Sequence, residues 1–180
     1  MIIGLTGRKQ SGKDTAAQAL IEKDFMQVAF AAPMKIMIAT LLEYQGVPEE
    51  VIMEMLHGSL KEVPTVYLGG QTPRHALQTL GTEWGRNQMG KDFWAAIGVN
   101  VAEGAPRAVI TDVRFENEAA LIRARGGEIW KIERPDRPTS DFDNHASEAE
   151  IDTLVVDRVI VNSGTIETLH VSVGEMLDVQ

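Results

Sequence analysis

The 180-residue sequence contains no cysteine. That excludes a disulfide framework and any zinc site built on thiolates, and it agrees with a reducing compartment. Cationic charge is also scarce: 17 lysines and arginines stand against 26 aspartates and glutamates, a net charge of −9. Such a balance argues against general attraction to nucleic acid or to an anionic membrane, so any anion site has to be a local basic pocket. No apolar run approaches the ~18 residues that a membrane-spanning helix needs, and a strand-like run begins at Met1 with no basic, apolar and small-residue leader before it. The expected setting is a soluble protein of the cytoplasm. Repeats, low-complexity tracts and charge blocks that would mark a linker are missing too. One domain with a mobile insertion suits the length.

What is present begins at the first residue. Met1-Ile-Ile-Gly-Leu-Thr6 is a short apolar run of strand type, and Gly7-Arg-Lys-Gln-Ser-Gly-Lys-Asp-Thr15 leads from it into the helix-forming stretch from Ala16 to Lys23. Gly7, Gly12 and Lys13 meet the pattern of a phosphate-binding loop between a strand and a helix. The two glycines allow consecutive N–H groups to turn inward on a phosphate, and the positive end of the new helix points to the same place. Lys13 then neutralises the outer phosphates, flanked by Lys9 and Ser11 in the loop. Asp14 stands where a hydroxyl usually meets magnesium. Either its carboxylate takes that place beside Thr15, or it is a favourable charge in the first helical turn.

Further runs extend the pattern. Phe25–Phe30, Arg107–Thr111, Glu128–Glu133 and Arg158–Val161 read as strands separated by helical stretches, the arrangement of a parallel sheet with helices around it. Met34, Ile38, Leu41 and Leu42 recur at helical spacing as a core stripe, and Trp94, Ile97 and Val101 form a second one behind Asp92. The final helix presents Ile166, Leu169, Val173, Met176 and Leu177 on its apolar face.

In an open parallel sheet, ligands bind at the carboxyl edge of the strands. Asp112 arrives there after the third strand, either as an acidic group that orients magnesium or as the cap of the helix starting near Phe115. Arg114 lies two residues further on. Lys35 heads the helix after the second strand and is either a phosphate contact or a solvated lysine. Between them, Arg74, Gln78, Trp84 and Arg86 surround two glycines. One reading makes them a pocket, with Trp84 stacking on a base, Gln78 bonding its edge and the arginines holding a phosphate. The other is a helix packed through Leu77, Leu80 and Trp84. After the fourth strand a polar, proline-broken loop carries Arg134 and Arg137, suited to cover a phosphoryl-transfer site. Asn162-Ser-Gly-Thr165 turns at the same edge, either around an adenine ring or as an ordinary capped turn.

The chain resembles the deoxynucleoside monophosphate kinases of bacteriophage type, within the P-loop nucleoside monophosphate kinase superfamily. The likeness rests on Ser11-Gly-Lys-Asp-Thr15, Leu77-Gln-Thr-Leu-Gly-Thr-Glu-Trp-Gly-Arg86, Thr111-Asp-Val-Arg-Phe-Glu-Asn-Glu118, His145-Ala-Ser-Glu148 and Val161-Asn-Ser-Gly-Thr165. It implies a three-layer α/β/α fold with a parallel five-stranded sheet, and makes Asp14 a family trait. A single kinase domain over residues 1–180 is implied, with a substrate-binding helical region at about 32–104 and a lid at about 134–149.

From this resemblance the expected ligands are ATP, Mg2+ and a deoxynucleoside monophosphate. ATP is expected at Gly7 to Thr15 with adenine contacts near Asn162. Lys13, Asp112, Arg134 and Arg137 are the expected catalytic set, with Asp14, Thr15 and Asp112 at the metal. A homodimer is compatible with the sequence, as is residence in a host cytoplasm if the gene belongs to a phage. Two alternatives keep the phosphate loop: a kinase of another phosphorylated metabolite, of phosphomevalonate or dephospho-coenzyme A type, and a nucleotide-dependent switch.

Overall fold

A computed structural model describes residues 1–135 and 146–178. The chain runs β1 (Ile2–Thr6), α1 (Lys13–Ile21), β2 (Met26–Val28), α2 (Ala32–Tyr44), α3 (Glu49–His57), α4 (Pro73–Thr79), a π-helix (Leu80–Met89) and α5 (Phe93–Glu103). It continues through β3 (Ala108–Ile110), α6 (Glu116–Arg123), β4 (Glu128–Glu133), α7 (Ala146–Thr153), β5 (Arg158–Val161) and α8 (Ile166–Asp178). The strands form one sheet in the order β2-β3-β1-β4-β5, parallel at every pairing. Central β1 is buried along its whole length, as an apolar run without alternation requires when helices cover both faces.

The period-two alternation of strand side chains divides the core between those faces. Ile2, Ala108, Ile110 and Ile129 pack with Ala95, Val99 and Ala102 of α5 and with Ala119 and Ile122 of α6. On the other face Ile3, Leu5, Val109, Trp130 and Ile132 pack against Ala16, Ala17 and Leu20 of α1 and Leu169 and Val173 of α8. This is the three-layer α/β/α arrangement.

By its internal contacts the chain divides into two compact units, Met1–Phe30 with Ala95–Gln180, and Ala31–Trp94. The first is the sheet unit. The second is helical, with Ile38 and Leu42 of α2 packed against Val47 and against Ile52, Met55 and Leu56 of α3. Its helices carry their own boundary chemistry: Pro33 opens α2, and Thr72 Oγ1 accepts from the His75 N–H to cap α4 at 3.0 Å.

Three local expectations are corrected. Of the stripe expected on α5, Trp94 is buried and Ile97 half-buried but Val101 is 52% exposed, and the residues that pack in the core of the sheet unit are Ala95, Val99 and Ala102. Small residues hold the helix close here: a Cβ on Gly98 would meet the Phe30 ring at 2.5 Å, so the face with the least bulk turns inward. Leu41 and Ile166, expected in apolar stripes, are 47% and 63% exposed. Finally, the stretch around Gly81 and Gly85 is a π-helix, in which the Gly90 N–H reaches back five residues to the Gly85 carbonyl at 3.0 Å.

Candidate functional site

β1 delivers the chain to Gly7 at the carboxyl edge of the sheet. Gly7 has φ 143° and Gly12 has φ 101°, a region that side chains disfavour. A Cβ on Gly7 would lie 2.4 Å from the Ile132 carbonyl oxygen, so the loop crosses directly over the end of β4. Gly12 is the N-cap of α1, and Lys13 opens that helix. The Lys13 ammonium donates to the carbonyls of Gly7 and Arg8, the latter at 2.9 Å, and so spans the loop. Asp14 is exposed in the first turn of α1, Thr15 half-buried and Lys9 exposed.

Ser11 is 2% exposed, and its N–H donates to the Arg8 carbonyl at 3.1 Å. Its hydroxyl and that of Thr6 are buried without a hydrogen-bond partner among the described residues. A buried hydroxyl left unmade costs about 1–3 kcal/mol, so the loop keeps polar capacity at a place where a phosphate is expected.

Three more strand ends supply side chains to this edge. After β3, Asp112 accepts the Phe30 N–H at 2.8 Å, so it joins the ends of β2 and β3 and is not the cap of α6. That helix has Phe115 at its N-cap, and Glu118 closes its start by accepting from the Arg114 and Phe115 N–H groups at 2.8 and 3.1 Å. Arg114 is exposed. After β5, Asn162 is buried, and its side-chain amide donates to the Ser11 carbonyl at 2.9 Å.

Arg134 follows β4 and lines a cavity of about 400 Å³ together with Arg8, Ser11, Lys131, Glu133 and Asp152. Arg8 forms an ion pair with Asp152 of α7, and Lys131 pairs with Glu133 at 2.8 Å. Sequence reasoning missed Arg8, Lys131 and Asp152. Arg8 carried a signal, being inside the phosphate loop, but Asp152 lies 144 residues away and has none locally. Arg137 lies outside the described residues.

The sheet unit thus gathers Gly7, Lys9, Ser11, Gly12, Lys13, Asp14, Thr15, Asp112, Arg114, Arg134 and Asn162 at one edge. Lys35, Arg74, Gln78, Trp84 and Arg86 belong to the helical unit. The Lys35 ammonium lies 3.3 Å from His57 Nδ1. Burial holds the His57 imidazole below its usual range, and the charges of Lys35 and Lys61 push in the same direction. Arg74 is ion-paired with Glu62, Gln78 is exposed and Arg86 is half-buried.

Trp84 stands edge-on to Phe93 at 5.4 Å and tilted against Trp94 at 5.7 Å. The Trp94 indole N–H donates to the Gly81 carbonyl at 3.0 Å, and its ring leaves no room for a side chain at Gly85. Gly85 therefore admits the tryptophan against the π-helix, while a side chain at Gly81 would meet Met34. Trp84 also lines an apolar cavity of about 550 Å³ with Leu41, Tyr67, Gln71, His75 and Thr79, whose wall does not include Arg74, Gln78 or Arg86.

No group of three or more His, Asp or Glu side chains able to hold a metal occurs among the described residues. Magnesium does not ask for one. It is held by one or two carboxylates together with substrate phosphates and water, and the hard oxygen donors of Asp112, Asp14, Thr15 and the unpartnered Ser11 hydroxyl suit it.

The model of the deoxynucleotide monophosphate kinase family matches residues 68–173. A putative deoxynucleotide monophosphate kinase of Acanthamoeba polyphaga mimivirus is 32% identical over 206 aligned residues, covering 99% of this chain and 96% of that one. A deoxynucleoside-5′-monophosphate kinase of Escherichia phage T5 is 46% identical over 54 residues, 29% of this chain and 22% of its own. Among solved structures, a dephospho-CoA kinase from Campylobacter jejuni aligns at a TM-score of 0.48 and 12% identity, covering 98% of this chain and 95% of that chain. With more than half of the sequence inside the family model and a relative aligned along nearly its whole length, the chain belongs to the deoxynucleotide monophosphate kinase family.

Proposed function

We propose that the protein transfers the γ-phosphate of ATP to a deoxynucleoside 5′-monophosphate, giving ADP and the deoxynucleoside diphosphate. The observation that carries this reading is the phosphate loop of a family member: Gly7 and Gly12 at positive φ, Lys13 across the loop and a buried, unpartnered Ser11 hydroxyl. An oxygen of the acceptor phosphate attacks Pγ, and the bond from Pγ to the bridging oxygen of ADP breaks. A phosphate oxygen is already a nucleophile, so no strong base is required. Alignment, exclusion of water and neutralisation of charge remain for the protein to supply.

In this reading the loop amides and Lys13 hold the β- and γ-phosphates, with Lys9, Ser11 and Thr15 beside them. Asp112, with Asp14 or Thr15, would hold a magnesium ion, whose chemistry is to screen the charge of the phosphates. Arg134 at the end of β4 and Arg137 beyond it would offset charge on the transferred group, within a lid at about 134–149. Lys35, Arg74, Gln78, Trp84, Arg86 and Arg114 are the proposed acceptor contacts, most of them in the helical region at about 32–104. A chain without cysteine, at net charge −9, suits work on small phosphorylated molecules in a reducing cytoplasm and not on nucleic acid.

The test is ADP release by the purified protein with ATP and magnesium, without acceptor and with each deoxynucleoside monophosphate and its ribonucleotide counterpart. Stimulation by at least one deoxynucleotide is expected, with turnover lost in Lys13→Ala while the fold is kept. Turnover near normal in Lys13→Ala would remove the phosphate-loop assignment. ATP binding without stimulation by any of these acceptors would remove the deoxynucleotide.

A further inference from the structure

Asn162 is 9% exposed at the carboxyl end of β5. Its backbone N–H donates to the Glu133 carbonyl at 2.6 Å, which fixes it against the end of β4. From there its carboxamide donates to the Ser11 carbonyl at 2.9 Å, across 151 residues of sequence. The packing is close, since a Cβ on Gly12 would lie 2.4 Å from Asn162 Nδ2.

A trans peptide is planar, so the Ser11 carbonyl and the Gly12 N–H point in opposite directions. Tying the carbonyl to Asn162 therefore turns the Gly12 N–H away from β5. That N–H donates to no group among the described residues. With glycine on one side, this peptide has a low steric barrier to flipping. A flipped peptide would present the negative end of its dipole where the N–H now points, and no other side chain among the described residues bonds the Ser11 carbonyl.

We infer that Asn162 is a positioning residue for phosphate recognition: its carboxamide holds the Ser11–Gly12 peptide in the orientation that offers the Gly12 N–H to the triphosphate of the donor. This rests on the kinase reading above and assigns the side chain to the phosphate end of ATP, not to the base. The consequence is specific. Losing the amide weakens every ligand that carries the triphosphate by the same factor and leaves the choice of base unchanged.

The experiment compares wild type with Asn162→Ala and Asn162→Asp, the second keeping the shape but offering no donor to the carbonyl. Affinities are measured for inorganic tripolyphosphate, ATP and GTP, with thermal unfolding of the ligand-free proteins alongside. The expected result is a fall of about tenfold, the worth of one hydrogen bond to a charged group. It should be equal for all three ligands, in variants that unfold cooperatively. Unchanged tripolyphosphate affinity with altered ATP-to-GTP preference would overturn the inference in favour of a base contact. A second measurement needs no variant: the Gly12 amide resonance of the wild-type protein must move when tripolyphosphate saturates it, and a stationary resonance overturns the inference. Wild-type protein that binds neither ATP nor tripolyphosphate would instead remove the kinase reading, and this inference with it.

Discussion

Gly7 and Gly12 both sit at positive φ, yet their surroundings differ in a way that ranks them. The atom that a Cβ on Gly7 would meet at 2.4 Å is the carbonyl oxygen of Ile132, near the end of β4 and within its pairing with β5. At Gly12 the atom at 2.4 Å is the end of the Asn162 side chain, which can rotate away. A held-open backbone conformation of this kind costs about 1–3 kcal/mol for a residue with a side chain, and at Gly7 the displacement of β4 adds to it. Gly7→Ala is therefore expected to lower the unfolding temperature more than Gly12→Ala, whereas Gly12→Ala, by dislodging Asn162, should weaken ATP binding even where it folds. Thermal scans of the two variants check the order, and the reverse order would mean that the loop does not bear on β4 as described. At this scale the sequence was legible where chemistry is local. The glycines, Lys13 and the position of Asp112 follow from motif and strand end. The bond from Asn162 to the phosphate loop was not legible, because its partner Ser11 is 151 residues away.

Between elements, β4, β5 and α8 are joined by one cluster of polar side chains. Glu128 Oε2 accepts from Arg158 Nε and from the Trp130 indole N–H, each at 2.8 Å, and Glu128 Oε1 accepts from Arg158 Nη2 at 3.2 Å. The same guanidinium donates to the Met176 carbonyl at 3.2 Å and lies 5.9 Å from the centre of the Trp130 ring. Hydrogen bonding from Arg158 holds the Glu128 carboxyl below the usual range, with the Trp130 N–H helping and partial burial opposing. A depressed folded-state pKa means that the unfolded chain takes up the proton first as pH falls. The stabilisation is then fully present above the ordinary carboxylate pKa and is lost as pH drops through the lower folded value. Glu128→Gln should cost about 1–2 kcal/mol at pH 7, and the difference from wild type should shrink near pH 3. Urea unfolding at both pH values checks this; a gap that stays constant in acid would show that the charge is not the source. Strands β4 and β5 matched the bounds expected from their sequence, although edge strand β5 buries only Ile160 and leaves Val159 and Val161 exposed. The π-helix was not legible, since periodicity distinguishes 3.6 from 2 residues and is silent on a wider turn. The inward face of α5 was misjudged for a related reason: size ranked Ile97 and Val101 above Ala95 and Ala102, while Gly98 against Phe30 made the small face the one that fits.

At the scale of the whole molecule, the proposed activity asks an acidic chain to accept a still more acidic ligand. Its 26 carboxylates against 17 cations repel ATP at a distance, so affinity depends on the groups gathered at the carboxyl edge of the sheet. Binding to the folded state alone stabilises it by mass action, about 2.7 kcal/mol when ATP is at a hundred times its dissociation constant. For a chain of this length each kcal/mol moves the unfolding temperature by roughly 2–4 °C, so a rise of about 5–10 °C is expected for wild type. Lys13→Ala separates stability from binding. Its ammonium bonds two loop carbonyls, but it also stands at the positive end of α1, where the helix dipole disfavours a cation by roughly 0.3–1 kcal/mol. These effects oppose each other, so the ligand-free variant should unfold close to wild type while its rise with ATP largely disappears. Differential scanning calorimetry of both proteins, with and without ATP and magnesium, decides the matter. A full rise in Lys13→Ala would place the ATP site away from the phosphate loop, and no rise in wild type would mean that the edge of the sheet does not overcome the charge of the chain.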